Sequence, residues 1–508
     1  MKVFLIRGPR YYWPFINEYD NFLLPQSLVC LAAVLKKAGI DVRVIDCAPI
    51  KMGWNSLNNL LKEENPDIVG IGDSESLYSH EAIRVLKIAK EVNPKVITIA
   101  GGAHFSNLIQ ESLQNYLIDF IVKGEGEYSL LELIKELEKP RPDFRRVKGI
   151  AFRQDNQIIE TPPQPLIENL DELPLPAYEL MPMQEYGKAR FLFSPGGITI
   201  HHSRGCTNSC KFCVWWVQMA ERKVENGKVI LYPRWRTKSV ERTIEEIKLL
   251  YYKYKKHFMV FVDDSWNINP SWNEEFAEQL SKEDMKLGWF AFMRADLILR
   301  DEKAGIFKKL VDSGLSHISI GIERAEDADL KDLGKNGYSQ DMIRECMYIL
   351  KHKYPQVFRQ ATFIVGIRNE TRDSILRQVR YAKEIAADYP AFHPMTPVPG
   401  TEAWREAKEK GWLEIEDFSY YDWITPVMSS KYLSREEIED LVYLANRKFL
   451  SFSWIIKGLF SPFKVKRNMY IWWLLVVLRI FIDSVKRFIN PFKVKEYTRL
   501  IKPRWYEN

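Results

Sequence analysis

Short apolar runs alternate with amphipathic stretches in two long blocks of this chain, and that alternation leaves few folds open to it. In the first block the runs cover residues 2–6, 41–45, 67–72, 95–100 and 119–122, with helical periodicity around 27–38, 55–63, 80–92, 106–116 and 128–138. Continuously apolar runs separated by helices predict a parallel sheet covered on both faces. Residues 1–140 therefore read as a five-stranded α/β domain. A hairpin pattern follows at 149–153 and 157–161 around Asp155-Asn156, then six prolines between 161 and 182, so 141–190 reads as hairpin and linker. The alternation resumes with strands expected at 198–202, 258–263, 288–293, 317–321, 360–366 and 391–395, and helices near 239–256, 272–281, 302–313, 339–352 and 371–387. Six such strands predict a barrel or partial barrel over 191–400, with its site at the strand carboxyl ends. Beyond Pro399-Gly400-Thr401 the strand signal fades. Residues 401–508 read as helical, with an amphipathic helix over 434–457 opened by the capping pattern Ser434-Arg435-Glu436-Glu437.

With 46% hydrophobic and 28% charged residues, the 508-residue chain can bury large cores, which excludes a disordered or collagen-like polymer. Its formal charge of +6 is unevenly placed. Residues 457–508 hold twelve Lys and Arg against three Asp and Glu, so the rest of the chain is slightly acidic. A body of that sign does not coat nucleic acid, and the tail needs its own account. Six cysteines are too few for a disulfide scaffold. Cys30, Cys47 and Cys346 lie among apolar residues as buried thiols, while Cys206, Cys210 and Cys213 share one short segment. This usage predicts a reducing compartment. The opening MKVFLIRGPR runs into a strand without signal-peptide architecture, so a cytoplasmic protein is expected.

Ligands of open parallel sheets sit beyond the carboxyl ends of the strands. In the first block those ends read Arg7-Gly8-Pro9, Asp46, Gly72-Asp73-Ser74-Glu75, Gly101-Gly102-Ala103-His104 and Lys123-Gly124-Glu125-Gly126-Glu127. Glycine lets backbone turn sharply or approach a ligand closely. Ordinary turn chemistry accounts for any one of these loops; several glycine-rich edges in one sheet favour a bound ligand.

In the second block the first strand runs into His201-His202-Ser203-Arg204-Gly205-Cys206-Thr207-Asn208-Ser209-Cys210-Lys211-Phe212-Cys213. Three thiolates at C-x3-C-x2-C spacing can wrap one cuboidal [4Fe–4S] cluster and leave one iron open. A zinc site would need a fourth ligand, which His201 or His202 could supply. The spacing, with an aromatic residue just before the third cysteine, resembles the radical S-adenosylmethionine (SAM) superfamily. That resemblance implies a partial (β/α)6 barrel, in agreement with the strand count, and an open iron that binds the amino and carboxylate groups of SAM. It also implies reductive cleavage of SAM to a 5′-deoxyadenosyl radical that abstracts hydrogen from substrate, with a reducing donor such as ferredoxin or flavodoxin as partner. Other strand ends fall where the family contacts SAM. Asp263 and Asp264 resemble the segment that holds the amino group, and Arg294 could meet a carboxylate. Ser319 to Glu323 resembles the ribose position, with Glu323 accepting from hydroxyls, and Phe363 to Thr371, with Gly366, resembles the adenine-side glycine motif. Asp264 alone reads equally well as a helix N-cap.

A five-stranded parallel domain directly before such a core resembles the cobalamin-binding class of the superfamily, whose N-terminal fold is flavodoxin-like (Rossmann-like). The resemblance places cobalamin over Ser74, Glu75, Gly101, Gly102, His104, Gly124, Glu125, Gly126 and Glu127. The Asp-x-His-x-x-Gly signature that supplies an axial histidine is absent, since Asp46 is followed by Cys47-Ala48. Either cobalamin is held without a histidine from this motif, or the domain is vestigial; His104 also reads as a loop histidine satisfied by backbone. Residues 210–216, 319–323, 363–371 and 422–428 look like the branch containing the anaerobic magnesium-protoporphyrin monomethyl ester cyclase, over most of 1–450. That branch has lipid-modifying relatives too. The implied function is a cobalamin-dependent radical SAM enzyme that modifies an unactivated carbon of a hydrophobic substrate, lipid or tetrapyrrole-like, by oxidative cyclisation or C–C bond formation. A radical SAM C-methyltransferase is the alternative within the class, and a non-catalytic metal- and membrane-binding scaffold the alternative outside it.

The basic tail contains 469–478, ten uncharged and mostly apolar residues, flanked by Lys464, Lys466, Arg467, Lys486 and Arg487. Extended to Val485 the run has 17 residues, with Arg479 and Asp483 inside it. A bilayer span needs ~20 apolar residues. The tail therefore reads as an interfacial helix at the inner face of the membrane, with Trp472, Trp473 and Phe481 at the headgroup boundary and cations against anionic lipid. A core helix packed on the barrel is the competing reading. A nucleic-acid platform ranks third, because aromatics and cations do not interleave.

Overall fold

The computed structural model describes residues 1–10, 23–72, 75–188, 196–489 and 505–508. Ser74, and the side chains of Arg479, Phe481, Asp483, Lys486 and Arg487, lie outside the described residues.

Val3, Phe4, Leu5 and Ile6 are all buried, as a parallel sheet covered on both faces demands. They belong to β1 (Lys2–Arg7), which is followed by β2 (Asp41–Asp46), β3 (Ile68–Ile71), β4 (Ile97–Ala100) and β5 (Phe120–Val122). These five strands are parallel in the order β2-β1-β3-β4-β5, with the topological switch between β1 and β3. The hairpin β6 (Ile150–Gln154) and β7 (Gln157–Glu160) is not part of the connection, as expected from sequence, but extends this sheet. β6 pairs antiparallel with β5, burying Ile150, Ala151 and Phe152 on what would be an open edge. Asp155 and Asn156 both take positive φ, 50° and 61°, which a tight hairpin turn requires.

The proline-rich segment is a staple between the two units. Ile167, Leu170 and Leu173 bury against Val34. Further along, the Tyr186 hydroxyl donates to Asp46 at 2.7 Å, while Lys256 of the second unit donates to the carbonyls of Met183 (2.7 Å) and Tyr186 (2.8 Å). One continuous hydrophobic core runs through both units.

β8 (Gly197–Ile200) opens the second unit. Four short strands follow before the regular alternation resumes: β9 (Ser203–Gly205), β10 (Glu221–Glu225), β11 (Lys228–Tyr232) and β12 (Trp235–Thr237). Then come β13 (Phe258–Phe261), β14 (Gly288–Met293), β15 (Leu315–Glu323), β16 (Phe358–Val365) and β17 (Tyr389–Pro394). β8 and β13 to β17 form one six-stranded parallel sheet in sequence order, open between β8 and β17. The helix expected at 302–313 is two, Ala295–Lys303 and Ile306–Asp312, because Gly305 between them adopts φ +76°.

After the sheet, Ser434 caps the helix Arg435–Phe449 as the sequence predicts. Its hydroxyl accepts from Glu437 N–H (3.2 Å), and Ser434 N–H donates to the Glu437 carboxylate (2.8 Å). The helix stops at Phe449, and Ser451 caps a separate helix, Phe452–Leu459, before the long helix Lys464–Ile489. No described helix is long and apolar enough to cross a membrane. Trp472 and Trp473, expected at a headgroup boundary, are buried instead. With Met469 and Tyr470 they cover Phe358 and Tyr389, at the amino ends of β16 and β17, and Ala391. Lys466, expected against lipid, points inward to Asp388 at 2.9 Å, beside the Arg359–Asp388 pair, also at 2.9 Å. Packing on a bare strand end removes more aromatic surface from water than an interface would, so this stretch is the core helix of the competing reading. Asp388→Asn would leave two buried cations without a counter-charge. Chemical denaturation is expected to show a loss of about 3–5 kcal/mol.

Candidate active site

The cysteine segment is pinned at its start by a buried pair. His202 is enclosed by Phe261, Trp266 and Trp272, with its ring 4.0 Å from that of Trp272. Its Nδ1 lies 2.7 Å from Asp263 Oδ1. The same oxygen accepts from the N–H groups of His202 (3.1 Å) and Ser203 (2.6 Å) and from the Ser203 hydroxyl (2.6 Å). Burial works to raise the Asp263 carboxyl, but the His202 imidazole and these hydrogen bonds outweigh it and hold the group below its ordinary value. His202 is thus engaged by Asp263 and not presented to a metal. Asp263, expected at the SAM ammonium, holds the strand-to-loop turn.

Gly205 then turns at φ +85°, where a Cβ would meet Arg234 O at 2.0 Å. Beyond it the loop is tied down by backbone. Cys213 N–H donates to Cys210 O (3.2 Å), Lys211 N–H to Leu333 O (3.1 Å) and Trp216 Nε1 to Cys210 O (3.0 Å). Asn208 N–H points at Cys206 Sγ, 3.5 Å away. All three thiols are free and half-buried. Burial raises each of them, Cys213 to about 12, while Arg294 beside Cys206 and Lys335 beside Cys210 act in the opposite sense. Cations at that edge favour thiolate, the form that ligates iron. Among the described residues no three His, Cys, Asp or Glu side chains are grouped closely enough to chelate one ion. A cuboidal cluster takes three thiolates on three different irons. The donor set fits the cluster.

Asp264, Arg294 and Glu323 stand close enough to these thiols to act on their charge. Asp264 is half-buried, with its Oδ2 shielded and unpartnered, and desolvation together with Asp263 pushes it up to about 7. A shielded carboxylate oxygen without a partner suits an ammonium group, as SAM would bring. Arg294 is oriented by Asp296 at 2.8 Å. Glu323 takes φ +64° at the end of β15 and pairs with Lys335 at 2.7 Å. Lys335, which also donates to Gly321 O at 2.5 Å, escaped sequence reasoning. It lies in the loop between the helices Asp327–Asp332 and Gln340–Lys353, where no periodicity or motif marks it. Two expectations shift. Ser319 is buried in mid-strand, four residues before the end of β15. Gly366, at φ +76°, donates its N–H to Glu370 (2.9 Å), and a Cβ there would come within 3.1 Å of Ile438, so this glycine serves helix packing.

Facing the cysteine loop is the carboxyl edge of the first sheet. Gly102 and Gly124 there take φ +87° and +70°, and Gly101 directly follows β4. A small cleft lies between the units. Ser76 and Leu77 line it from the first sheet, Val214 and Trp215 from the helix after Cys213, and Tyr421 and Trp423 from the C-terminal region. Glu75, expected near cobalamin, is on its wall as well. Trp423 is held at φ +63° by a turn in which Asp422 accepts from the N–H groups of Ile424 (3.0 Å) and Thr425 (2.7 Å). A glycine-edged rim facing an apolar wall has the form a large flat cofactor needs.

Three carboxylates and one histidine expected to serve cobalamin or its signature are engaged otherwise. Glu125 binds Arg204 at 2.8 Å and Arg236 at 2.7 Å, and Glu127 binds Arg204 at 2.6 Å. Burial alone would raise Glu125; the two guanidiniums bring it below its usual value. Gly126, between them, opens the helix Gly126–Leu137 and packs against Leu31 and Val122. Asp46 is bound by Arg7 and by Tyr186. His104 is buried, its Nδ1 3.1 Å from Ser76 Oγ and its ring edge-on to Phe105 and Phe418. It is a satisfied histidine, with a serine hydroxyl as partner where backbone was expected.

Two outcomes follow from these contacts. Glu125→Gln leaves buried Arg236 without its counter-charge, and the unfolding free energy is expected to drop by about 3–5 kcal/mol. Burial lowers His104 to about 4, so the unfolded chain takes up a proton that the folded one refuses as pH falls from 6.5 to 4. Stability should be complete above 6.5 and decline by up to about 3 kcal/mol toward pH 4. His104→Phe should flatten that part of a denaturation-versus-pH curve.

Comparison with known proteins agrees with this geometry. The B12 binding domain family matches residues 12–134, and the Radical SAM superfamily matches residues 200–382. An uncharacterized methyltransferase of Pyrococcus horikoshii is 31% identical over 87% of this chain and 92% of its own length. The anaerobic magnesium-protoporphyrin IX monomethyl ester cyclase of Rubrivivax gelatinosus is 28% identical over 91% and 79%. In fold, the chain resembles the cobalamin-dependent S-adenosylmethionine radical enzyme OxsB, solved with aqua-cobalamin and S-adenosylmethionine bound. The TM-score is 0.70 at 17% identity, over 93% of this chain and 70% of that one. Cobalamin, SAM and a [4Fe–4S] cluster are the cofactors of this domain pair. The chain belongs to the radical SAM superfamily, in the branch that carries a B12-binding domain ahead of the radical SAM domain.

Proposed function

We propose that this enzyme forms a C–C bond at an unactivated carbon of a hydrophobic substrate, lipid or tetrapyrrole-like, held in the cleft between the two units. The observation that carries the reading is the apolar and aromatic cleft wall: Leu77 and Ala103 along the B12-domain edge, Val214 and Trp215 directly after Cys213, and Val398, Tyr421 and Trp423 from beyond the last strand. When bound, the cluster with SAM supplies one-electron chemistry for hydrogen abstraction, and cobalamin supplies methyl-group or one-electron chemistry. Cys206, Cys210 and Cys213 hold the cluster. Asp264 receives an ammonium, Arg294 a carboxylate, and the Glu323–Lys335 pair presents an acceptor for hydroxyl groups. Gly101, Gly102 and Gly124 let backbone approach cobalamin. Trp215 and Trp423 exclude water and orient the substrate face.

Oxidative cyclisation is supported by the likeness to the Rubrivivax cyclase. Methylation is the second reading, favoured by the Pyrococcus relative at 31% identity. The enzyme would work in the cytoplasm at the inner face of the membrane, with a low-potential donor such as ferredoxin or flavodoxin. Anaerobically reconstituted protein should contain iron, sulfide and cobalt and release 5′-deoxyadenosine from SAM. Cys213→Ala should abolish both the iron and the release. Product mass separates the reactions, as a gain of one CH2 for methylation or a loss of two hydrogens for cyclisation. Absence of 5′-deoxyadenosine with every lipid and tetrapyrrole tried would sink the proposal.

A further inference from the structure

While Trp472, Trp473 and Lys466 turn into the protein, the helix before them carries an exposed apolar surface of its own. Phe452, Ile456 and Phe460 are 68%, 38% and 82% exposed. Spaced four residues apart, they form one stripe along the helix Phe452–Leu459 and its end. The opposite side of that helix, through Ile455 and Gly458, is buried, and Trp454 and Leu459 pack on the cluster around Tyr470. Arg447, Lys448, Lys457 and Lys464 are exposed along the same stretch of chain, and none forms an ion pair among the described residues. Residues 441–482 contain no Asp or Glu at all. Elsewhere in the molecule exposed cations are commonly paired, as Lys308 is with Asp312 and Lys410 with Glu406. The turn between the helices is held by Arg467, which donates to Ser461 O (2.7 Å) and Pro462 O (2.8 Å), so the stripe and the cations keep a fixed relation.

We propose that this face, made by the end of Arg435–Phe449, the helix Phe452–Leu459 and the turn into Lys464, docks on an anionic lipid bilayer. Exposed aromatic and aliphatic side chains rimmed by unpaired cations match an interface of acyl chain and negative headgroup. A second copy of this chain is the poorer match, because the face would set its own uncompensated cations against themselves. The packing also places this face toward the amino ends of β16 and β17, whereas the cleft lies at the carboxyl ends. Docking would therefore hold the enzyme at the membrane without covering the cleft. The inference rests on the membrane-surface reading above and on none of the chemistry proposed for the cleft.

The test is co-sedimentation of the full-length holoenzyme with vesicles of phosphatidylcholine alone or mixed with phosphatidylglycerol. Wild type should bind the mixed vesicles, bind phosphatidylcholine weakly, and lose binding as salt is raised. Phe452→Ser with Phe460→Ser, and separately Lys457→Gln with Lys464→Gln, should each lower partitioning roughly tenfold or more. SAM cleavage in solution should be unchanged. The charge pair retains every apolar contact and serves if the serine pair does not fold. No binding of wild type to anionic vesicles overturns the membrane reading itself. Binding that both variant pairs leave intact overturns this face as its site, as does a wild-type dimer in light scattering that the variants convert to monomer.

Discussion

The arrangement depends on a buried ion cluster at the seam of the two units. Glu125 and Glu127, on the edge of the first sheet, grip Arg204 and Arg236, which lie on β9 and β12 beside the cysteine loop. Burying such charges adds little net stability over an apolar seam, because desolvation offsets the attraction. Leaving any one unpaired is costly, so the cluster acts chiefly on geometry: only one relative placement of the units satisfies all four side chains. That placement sets the glycine-edged rim of the B12 domain against the loop that carries Cys206, Cys210 and Cys213. A two-cofactor enzyme needs that opposition, since neither sheet edge can enclose a cleft alone.

Around the seam, each unit holds its own half rigidly. In the second, His202 and Asp263 lock the start of the cysteine loop inside an aromatic cage, and Leu333 and Ala403 grip Lys211 from both sides. In the first, Arg7, Asp46 and Tyr186 close the β1–β2 end. Asp46 is therefore engaged by scaffold residues, Arg7 and Tyr186. The cleft is completed by C-terminal residues, with Trp423 held in a left-handed conformation that only a well-supported turn sustains.

The tail shows how composition can mislead about direction. Trp472, Trp473 and Lys466 have the residue types of a membrane interface, yet they lie opposite the uncovered amino ends of two barrel strands and pack there. Phe452 and Phe460, one helix earlier, remain outside. Periodicity reports that a helix has an apolar side, and not which neighbour will take it.

The five parallel strands of the first sheet, the six of the second, and the gathering of Cys206, Cys210 and Cys213 on one loop were legible in the sequence. Apolar runs at strand length, helices between them, and a ligand spacing along one loop are local properties that backbone chemistry converts directly into structure. The capping box at Ser434 was legible for the same reason. The sharing of acids between ligand and scaffold was not. Asp263, Glu125 and Glu127 sit at strand ends where a ligand would be expected, and only the tertiary structure brings His202, Arg204 and Arg236 to them from distant segments. The same holds for Lys335 at Glu323 and for the hairpin at β5. A carboxylate at a strand end has one position in the sequence but several partners in space, and the nearest buried cation takes it.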